Sequence, residues 1–167
     1  MGMRFFPAVQ DLRDEVVLAT KFGFDLAVQP LGDGFDSCPQ NFRKVAENSR
    51  RYLRTDHIDL FYQYISDPKR SCRGRRGAVG ELITEGKVRY FGLSNVCPQY
   101  IRRAHDVTSA SALQCGYCLF ERDVEEKVLP VLRELGIGLV RYSPLGRGFL
   151  TGVVKPASEY PADDLRS

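Results

Sequence analysis

Apolar residues follow two alternating patterns along the chain. Short continuous apolar runs, which are typical of strands within a buried sheet, begin near residues 16, 58, 88, 112 and 137. Between these runs, apolar residues recur at spacings of three and four, which indicates amphipathic helices. Strands that alternate with helices form βαβ units, so the pattern predicts an α/β fold with a parallel sheet.

The first and last runs carry the most detailed predictions. Residues 16–20 predict a strand that is buried on both faces and ends at Lys21. Residues 137–140 predict a buried strand that leads into a glycine-rich loop at residues 143–148. Such a loop lets backbone N–H groups approach an anion closely. The residues alone leave open a second interpretation, which is a plain turn between a strand and a helix.

Helix boundaries are marked by capping and breaking residues. Ser37, Pro39 and Gln40 form a capping-box pattern before the first long helix. The face that this helix is expected to bury consists of Phe42, Val45, Ala46, Ser49, Tyr52 and Leu53. Gly86 is placed to end the next helix. Pro98 opens another helix, which is expected to bury Ile101, Ala104 and Val107. Residues 123–135 predict a last helix, which Pro130 kinks and Gly136 stops.

Composition indicates a soluble globular domain. The chain has 167 residues, 43% of them hydrophobic, and a net charge of +3, which suits one domain with a substantial core. The basic clusters at residues 50–54 and 70–76 lack the aromatic interleaving of nucleic-acid-binding segments, so we expect solvated faces and no nucleic-acid partner. No apolar run reaches the roughly 18 residues that a membrane span needs. Residues 1–10 lack the features of a signal peptide, so we expect a cytoplasmic protein without a membrane partner.

The cysteines do not predict a disulfide framework, because there are five of them and the chain is long for a disulfide-stabilised fold. Cys115 and Cys118 have the spacing of a redox or metal pair, but no second cysteine pair lies near them in the sequence. Two buried thiols at the end of a strand are the preferred interpretation, and no metal site is predicted.

Polar side chains follow several of the predicted strands. They are Lys21, Tyr64, Ser94, Asn95, Gln114, Tyr142 and Ser143. The carboxyl ends of parallel strands meet at one edge of a sheet, where α/β proteins bind ligands, so these residues predict a site. Ser143 offers a hydroxyl and Arg147 a positive charge to a phosphate group. Lys21 taken alone is best interpreted as a side chain that extends into solvent, although its charge would also lower the pKa of a neighbouring phenol.

Four segments resemble the aldo-keto reductases. They are residues 17–23, 56–63, 86–95 and 142–152. The resemblance implies a TIM-type (β/α)8 barrel that binds NADPH and reduces an aldehyde or ketone to an alcohol. It also implies that residues 1–167 form a single incomplete domain, truncated at both ends, that supplies about strands three to seven of the eight.

The resemblance also implies roles for individual residues. Lys21 matches the family's catalytic lysine, and Tyr64 stands where the family has a histidine, while the family's tyrosine and aspartate are expected upstream of this chain. The residues implied to bind the cofactor are Ser94, Asn95, Gln114, Tyr142, Ser143, Leu145, Gly146, Arg147 and Gly148. The first three would hold the nicotinamide carboxamide, Tyr142 would stack on the ring, and the loop would meet the pyrophosphate. The alternatives are that Asn95 caps the following helix and that Tyr142 belongs to the core.

Three functional hypotheses follow from these residues. The first is an NADPH-dependent reductase of a small-molecule carbonyl substrate, with weak or absent turnover because only the lysine matches the family's catalytic set. The second is a catalytically inactive nucleotide-binding module. The third is a truncated fragment without independent function, whose open sheet edges favour self-association.

Overall fold

A parallel sheet forms the centre of the structure. The computed structural model describes residues 10–24, 36, 38–64 and 72–164, apart from the side chains of residues 10 and 72–76. The strands are β1 (Ala19–Phe22), β2 (Ile58–Gln63), β3 (Val88–Ser94), β4 (Ala110–Gly116) and β5 (Gly138–Tyr142). They lie in the order β1-β2-β3-β4-β5, and all four pairings are parallel. This arrangement confirms the predicted α/β fold, and the open sheet is consistent with part of a (β/α) barrel.

Helices connect the strands. In the described part of the chain they are α1 (Pro39–Leu53), α2 (Cys72–Thr84), α3 (Pro98–His105), α4 (Val124–Lys127) and α5 (Leu129–Leu135). Single 3-10 turns or short 3-10 helices lie at Gln10–Glu15, Phe149–Thr151 and Ala157–Glu159. Among the helices of the described residues, none is both long enough and apolar enough to cross a membrane.

The two edge strands are more exposed than their apolar runs predicted. In the described chain β1 pairs only with β2, and β5 pairs only with β4. Four of the five β5 residues are exposed, and both Ala19 and Lys21 of β1 are exposed. The predictions of a strand buried on both faces at residues 16–20 and of a buried strand at residues 137–140 are therefore wrong, because the described elements leave side chains of both strands uncovered. The first strand also begins late, since the Leu18 N–H donates to the side-chain carboxylate of Asp59 at 2.9 Å rather than to a backbone carbonyl of β2.

Helix α1 follows its predicted pattern with two differences. Phe42 and Ala46 are fully buried, as predicted, whereas Tyr52 is 53% exposed near the end of the helix. The N-cap residue is Cys38, whose N–H donates to Asp36 Oδ1 at 2.8 Å. The predicted cap, Ser37, lies outside the described residues.

Helices α2 and α5 end where the sequence places a glycine. Gly86 and Gly136 adopt positive φ angles of 71° and 66° just beyond α2 and α5, a conformation that glycine adopts without a steric cost. Val107 lies past the end of α3 and is 42% exposed, so its predicted burial is wrong. Pro130 lies in the first turn of α5, where its missing N–H costs no hydrogen bond. The predicted kink is therefore a break between two separate helices at Val128.

The hydrophobic core lies between one face of the sheet and the helices. Phe22, Phe42 and Phe61 form its aromatic centre, with ring centroids 4.3 Å apart for Phe22–Phe42 and 4.5 Å apart for Phe22–Phe61. Successive strand residues point to opposite faces, so Lys21 and Tyr62, which are register partners, lie on the other face. That second face carries the candidate site.

Candidate functional site

The carboxyl edge of the sheet brings the predicted site residues together. Lys21 is the register partner of Tyr62, and Ser94 is the register partner of Gln114. Tyr142 ends β5 and is paired with Gly116 of β4. The hydrogen bonds described below link residues up to 93 positions apart in the sequence, so the fold itself assembles this edge.

Lys21 lies between an amide and two aromatic rings. Its Nζ donates a hydrogen bond to Gln114 Oε1. The same Nζ is 5.7 Å from the ring centroid of Tyr62 and 5.3 Å from that of Tyr64. Partial burial lowers the pKa of Lys21 below its ordinary value, because burial disfavours the charged form. Lys21 is thus an exposed residue that reaches across the sheet rather than only into solvent.

Tyr64 lies beside Lys21, directly after β2. Its backbone N–H donates to Phe22 O at 2.9 Å, which extends the pairing between β1 and β2. Its ring packs against Phe24 with a centroid distance of 4.1 Å. The structure therefore places the two predicted catalytic residues next to each other, and their roles stay predictions.

Tyr62 is a site residue that the sequence reasoning missed. It is 2% exposed, and its hydroxyl has no hydrogen-bond partner within the described residues. Burial raises the pKa of Tyr62, so the phenol is protonated at neutral pH. A signal for it was present in the sequence. Gly92 interrupts an apolar strand, and a glycine within a strand indicates that another group approaches the backbone closely. In the structure that group is the Tyr62 ring.

Ser94 and Asn95 end β3 in two different ways. Ser94 is fully buried, and its Oγ lacks a partner in the described structure. Asn95 adopts a positive φ of 51°, and its N–H donates to Gln114 O at 3.0 Å. Its Oδ1 accepts a hydrogen bond from the Tyr142 hydroxyl at 3.2 Å. The N-cap of α3 is Cys97, so the alternative of Asn95 as a helix cap is wrong.

Tyr142 is not a core residue, because it is 42% exposed. Its hydroxyl also lies 3.5 Å from the position that a Cβ of Gly116 would occupy. The ring therefore stands over the end of β4, where a flat ligand can reach it.

The glycine-rich loop is tightly turned. Ser143, Gly146, Arg147 and Gly148 all have positive φ angles, between 52° and 92°. The Gly146 N–H donates to Ser143 O at 2.9 Å, and the Gly148 N–H donates to Leu145 O at 3.1 Å. These two glycine amides thus stabilise the loop itself. Within the described chain, the N–H groups of Ser143, Leu145 and Arg147 have no backbone acceptor, so these three loop amides are left for an anion.

A cavity of about 220 Å³ adjoins the loop. Its lining residues are Gly146, Arg147, Phe149, Val154, Lys155 and Tyr160. Arg147 and Lys155 give the cavity two cationic side chains, and arginine in particular binds phosphate oxygens through several N–H groups. The chemistry of this cavity suits an anionic group.

The cysteine pair contributes no further site. Cys115 is buried, whereas Cys118 is only half-buried and its Sγ accepts a hydrogen bond from the Glu121 N–H at 3.3 Å. The prediction of two buried thiols is therefore correct only for Cys115. The described residues contain no group of three His, Cys, Asp or Glu side chains suited to hold a metal ion.

Comparisons with known proteins agree with this geometry. A family model described as "Aldo/keto reductase family" matches residues 4–166. The chain belongs to the aldo-keto reductase family. It is 41% identical over 141 residues to "Probable aldo-keto reductase 1" of Glycine max, a match that covers 84% of this chain and 40% of that relative.

Solved structures of aldo-keto reductases share the fold. The glycerol dehydrogenase AKR11B4 from Gluconobacter oxydans superposes with a TM-score of 0.88 at 30% identity, over 96% of this chain and 50% of its own. The aldo-keto reductase AKR11C1 from Bacillus halodurans, in its holo form, has a TM-score of 0.83 at 26% identity, and the match covers 97% of this chain and 54% of that structure's chain. This aldo-keto reductase chain therefore spans about half the length of the relatives it matches. The family is one of oxidoreductases that generally use NAD(P)H.

Proposed function

We propose that this aldo-keto reductase chain binds NADPH at the carboxyl edge of its sheet and serves the reduction of an aldehyde or ketone to an alcohol. The observation that carries the proposal is the buried hydroxyl of Ser94, which has no partner in the described chain and lies in register with Gln114. A buried polar group without a partner costs free energy, which a ligand that bonds to it would recover.

The residues at this edge fit the cofactor. The carboxamide of a nicotinamide has both donors and an acceptor, and Ser94, Asn95 and Gln114 offer the complementary groups. The exposed ring of Tyr142 suits stacking. The amides of Leu145 and Arg147 suit a pyrophosphate, together with the arginine side chain. When bound, the reduced nicotinamide supplies the hydride for the reaction.

Lys21 and Tyr64 would act on the carbonyl oxygen of the substrate. Negative charge develops on that oxygen in the transition state, and fixed donors stabilise it. The ammonium of Lys21 supplies a positive charge, and the phenol of Tyr64 supplies a hydroxyl donor where other family members have a histidine. The substrate class is a small carbonyl compound.

The test is a thermal melt of the chain with and without NADPH, followed by an assay of aldehyde-dependent NADPH oxidation. A ligand that binds only the folded state raises the melting temperature by mass action, so we expect an upward shift with NADPH. Turnover should exceed that of a Lys21→Met variant. A melting temperature that does not change with millimolar NADPH would refute the binding proposal. Equal rates of NADPH oxidation for the wild type and Lys21→Met would refute the catalytic role of Lys21.

A second candidate is a nucleotide-binding module without turnover. It is favoured by the surroundings of Lys21, since no carboxylate in the described chain pairs with the Nζ that the family uses to activate a phenol. This candidate predicts that NADPH raises the melting temperature while no aldehyde accelerates NADPH oxidation. Measurable turnover that depends on Lys21 would exclude it.

We further propose a cytoplasmic location, without nucleic-acid or membrane partners, and self-association through the edges of β1 and β5. The exposed apolar residues at the β5 end of the sheet include Val140, Leu145, Phe149 and Val153. Unpaired strand edges promote association between chains. Size-exclusion chromatography with light scattering tests this, and a monodisperse monomer at high concentration would contradict it.

A further inference from the structure

A second cavity, of about 250 Å³, lies beside β5 on the face opposite to the candidate site. Its described lining residues are Tyr117, Cys118, Leu119, Arg122, Glu125, Arg141 and Pro144. Arg141 is the register partner of Cys115, which belongs to the core on the helix side of the sheet. Tyr142 comes next in the strand, and successive strand residues point to opposite faces. The Arg141 side chain therefore leaves β5 on the helix side, away from the ring that is proposed to meet the cofactor.

The one carboxylate among the described lining residues already has partners. Arg122 donates to both oxygens of Glu125, from Nε at 2.9 Å and from Nη2 at 2.8 Å. The Tyr117 hydroxyl donates to the same carboxylate at 2.7 Å. These bonds balance the charge of Glu125. An arginine has five N–H donors, so Arg122 keeps further donors for a ligand after it has bound Glu125.

Arg141 supplies a cation that the protein leaves unpaired. Its side chain is exposed, and across the described residues its guanidinium has neither an ion pair nor a hydrogen bond. Because Arg122 and Glu125 cancel each other, the cavity has an excess of one positive charge. The planar fork of a guanidinium matches the two oxygens of a carboxylate. The charge and the donors of the cavity thus suit a ligand with one carboxylate.

The other side of the cavity is apolar. Leu119 is 78% exposed, and Pro144 lies on the same cavity. Covering apolar surface is favourable, so a ligand with a hydrocarbon part gains affinity from these two side chains. The volume is just below the range of about 300–1,000 Å³ that is usual for small-molecule sites, which limits the ligand to a small one.

We propose that this cavity binds a small organic carboxylate, whose charged group pairs with Arg141 and Arg122 and whose apolar part covers Leu119 and Pro144. The site goes beyond the proposed function, because its ligand is neither the nicotinamide cofactor nor the carbonyl substrate. It also lies on the other face of β5.

The experiment titrates the whole chain with benzoate, a small carboxylate with one apolar ring. Two-dimensional proton–nitrogen NMR spectra are recorded at neutral pH without any nicotinamide. We expect saturable shifts of the amide signals of Tyr117, Cys118 and Arg141. Benzyl alcohol has the same ring without the charge, and acetate has the same charge without the ring. Both should bind more weakly than benzoate, and inorganic phosphate should as well because it lacks an apolar part.

A charge variant tests the role of Arg141. Arg141→Gln removes the unpaired guanidinium, and loss of a hydrogen-bonded charged partner should weaken benzoate binding about tenfold or more. Arg133→Gln is the matched control, because it removes the same charge at an exposed position of α5 that is not among the described lining residues. It should leave the affinity for benzoate unchanged.

The wild-type titrations decide the proposal even where a variant fails to fold. The absence of saturable shifts at tens of millimolar benzoate would overturn it, and so would shifts centred on Lys21 and Gln114 on the other face. Acetate, phosphate or benzyl alcohol bound as tightly as benzoate would also overturn it. So would equal benzoate affinities of the wild type and an Arg141→Gln protein with an intact circular dichroism spectrum. These results do not depend on whether NADPH shifts the melting temperature, so the proposal stands or falls separately from the proposed function.

Discussion

Gly92 lies where a side chain cannot be accommodated, and Gly92→Ala tests how tightly this part of the sheet is packed. A Cβ at this position would lie 2.4 Å from Tyr62 Cδ1 and 2.5 Å from Cε1. Non-bonded carbon atoms prefer about 3.5–4.0 Å, so the ring or the strand has to move by roughly 1 Å. Tyr62 is 2% exposed, and a rigid ring in a buried position has little room to move.

The expected cost of Gly92→Ala follows from this overlap. Overpacking of a core costs typically about 1–3 kcal/mol, and in a chain of this size each kcal/mol lowers the melting temperature by roughly 2–4 °C. We therefore expect the variant to melt about 2–12 °C below the wild type in differential scanning calorimetry. Gly77→Ala is the matched control, because no atom lies within 4 Å of the added Cβ on α2. Alanine favours a helix over glycine by up to about 1 kcal/mol, so the control should melt at or above the wild-type temperature.

A double-mutant cycle identifies the Tyr62 ring as the cause. Tyr62→Val removes the ring, so the loss from Gly92→Ala should be smaller in that background by about 0.5–3 kcal/mol, the usual range for residues in contact. Strictly additive losses, or a Gly92→Ala protein as stable as the wild type, would refute the close packing of Tyr62 on Gly92.

Three further predictions follow from the polar contacts. Asp59 is 4% exposed and accepts from Arg13 at 2.8 Å, so Asp59→Ala should cost roughly 3 kcal/mol in urea unfolding. Burial by itself raises the pKa of Asp59, but the bonds from a backbone N–H and from Arg13 bring that pKa below its ordinary value. The stability that Asp59 contributes is therefore present above about pH 3.9 and is lost as the pH falls through the lower pKa of the folded state. An acid titration of the unfolding free energy of Asp59→Ala should lack this loss. Arg43→Ala should lower the melting temperature only slightly, because its bonds to Glu81 of α2 and to Glu85 just after α2, at 2.6 and 2.7 Å, lie at the surface, and a melt in high salt should erase the difference. Ser94→Ala removes a buried hydroxyl without a described partner, so it should leave the unfolding free energy unchanged or slightly higher while it reduces the shift in melting temperature caused by NADPH.

The alternation of strands and helices along the chain and the ends of α2 and α5 could be predicted because they depend on local patterns. An apolar run followed by a periodic segment specifies a strand and a helix, and Gly86 and Gly136 mark helix ends where φ becomes positive. The break at Pro130 is a partial success, since the sequence located the irregularity but not the two separate helices. Side chains at the carboxyl ends of the strands were located for the same reason, because a parallel sheet places those ends together.

The remaining features depend on contacts between distant residues. An apolar run indicates that a strand belongs to a core, but it carries no information on which distant elements cover the faces of that strand, and the exposure of β5 was therefore missed. Tyr62 has the pattern of an ordinary strand residue, and only the three-dimensional contact with Gly92 distinguishes it. The Gly146 and Gly148 amides were expected to be open to an anion, whereas the turns of the loop itself use them.

The hydrogen bonds at the carboxyl edge limit how a ligand gains affinity there. Lys21 already donates to the Gln114 oxygen, and Tyr142 already donates to the Asn95 oxygen, so a ligand amide can use only the second lone pair of each oxygen or the side-chain NH₂ group. A further bond to a group that already has a partner contributes only about 1 kcal/mol. Ser94 differs, because its buried hydroxyl has no partner in the described chain before a ligand bonds to it. Nicotinamide affinity should therefore depend more on Ser94 and on stacking at Tyr142 than on Gln114, which makes Ser94→Ala the substitution that best separates cofactor binding from folding.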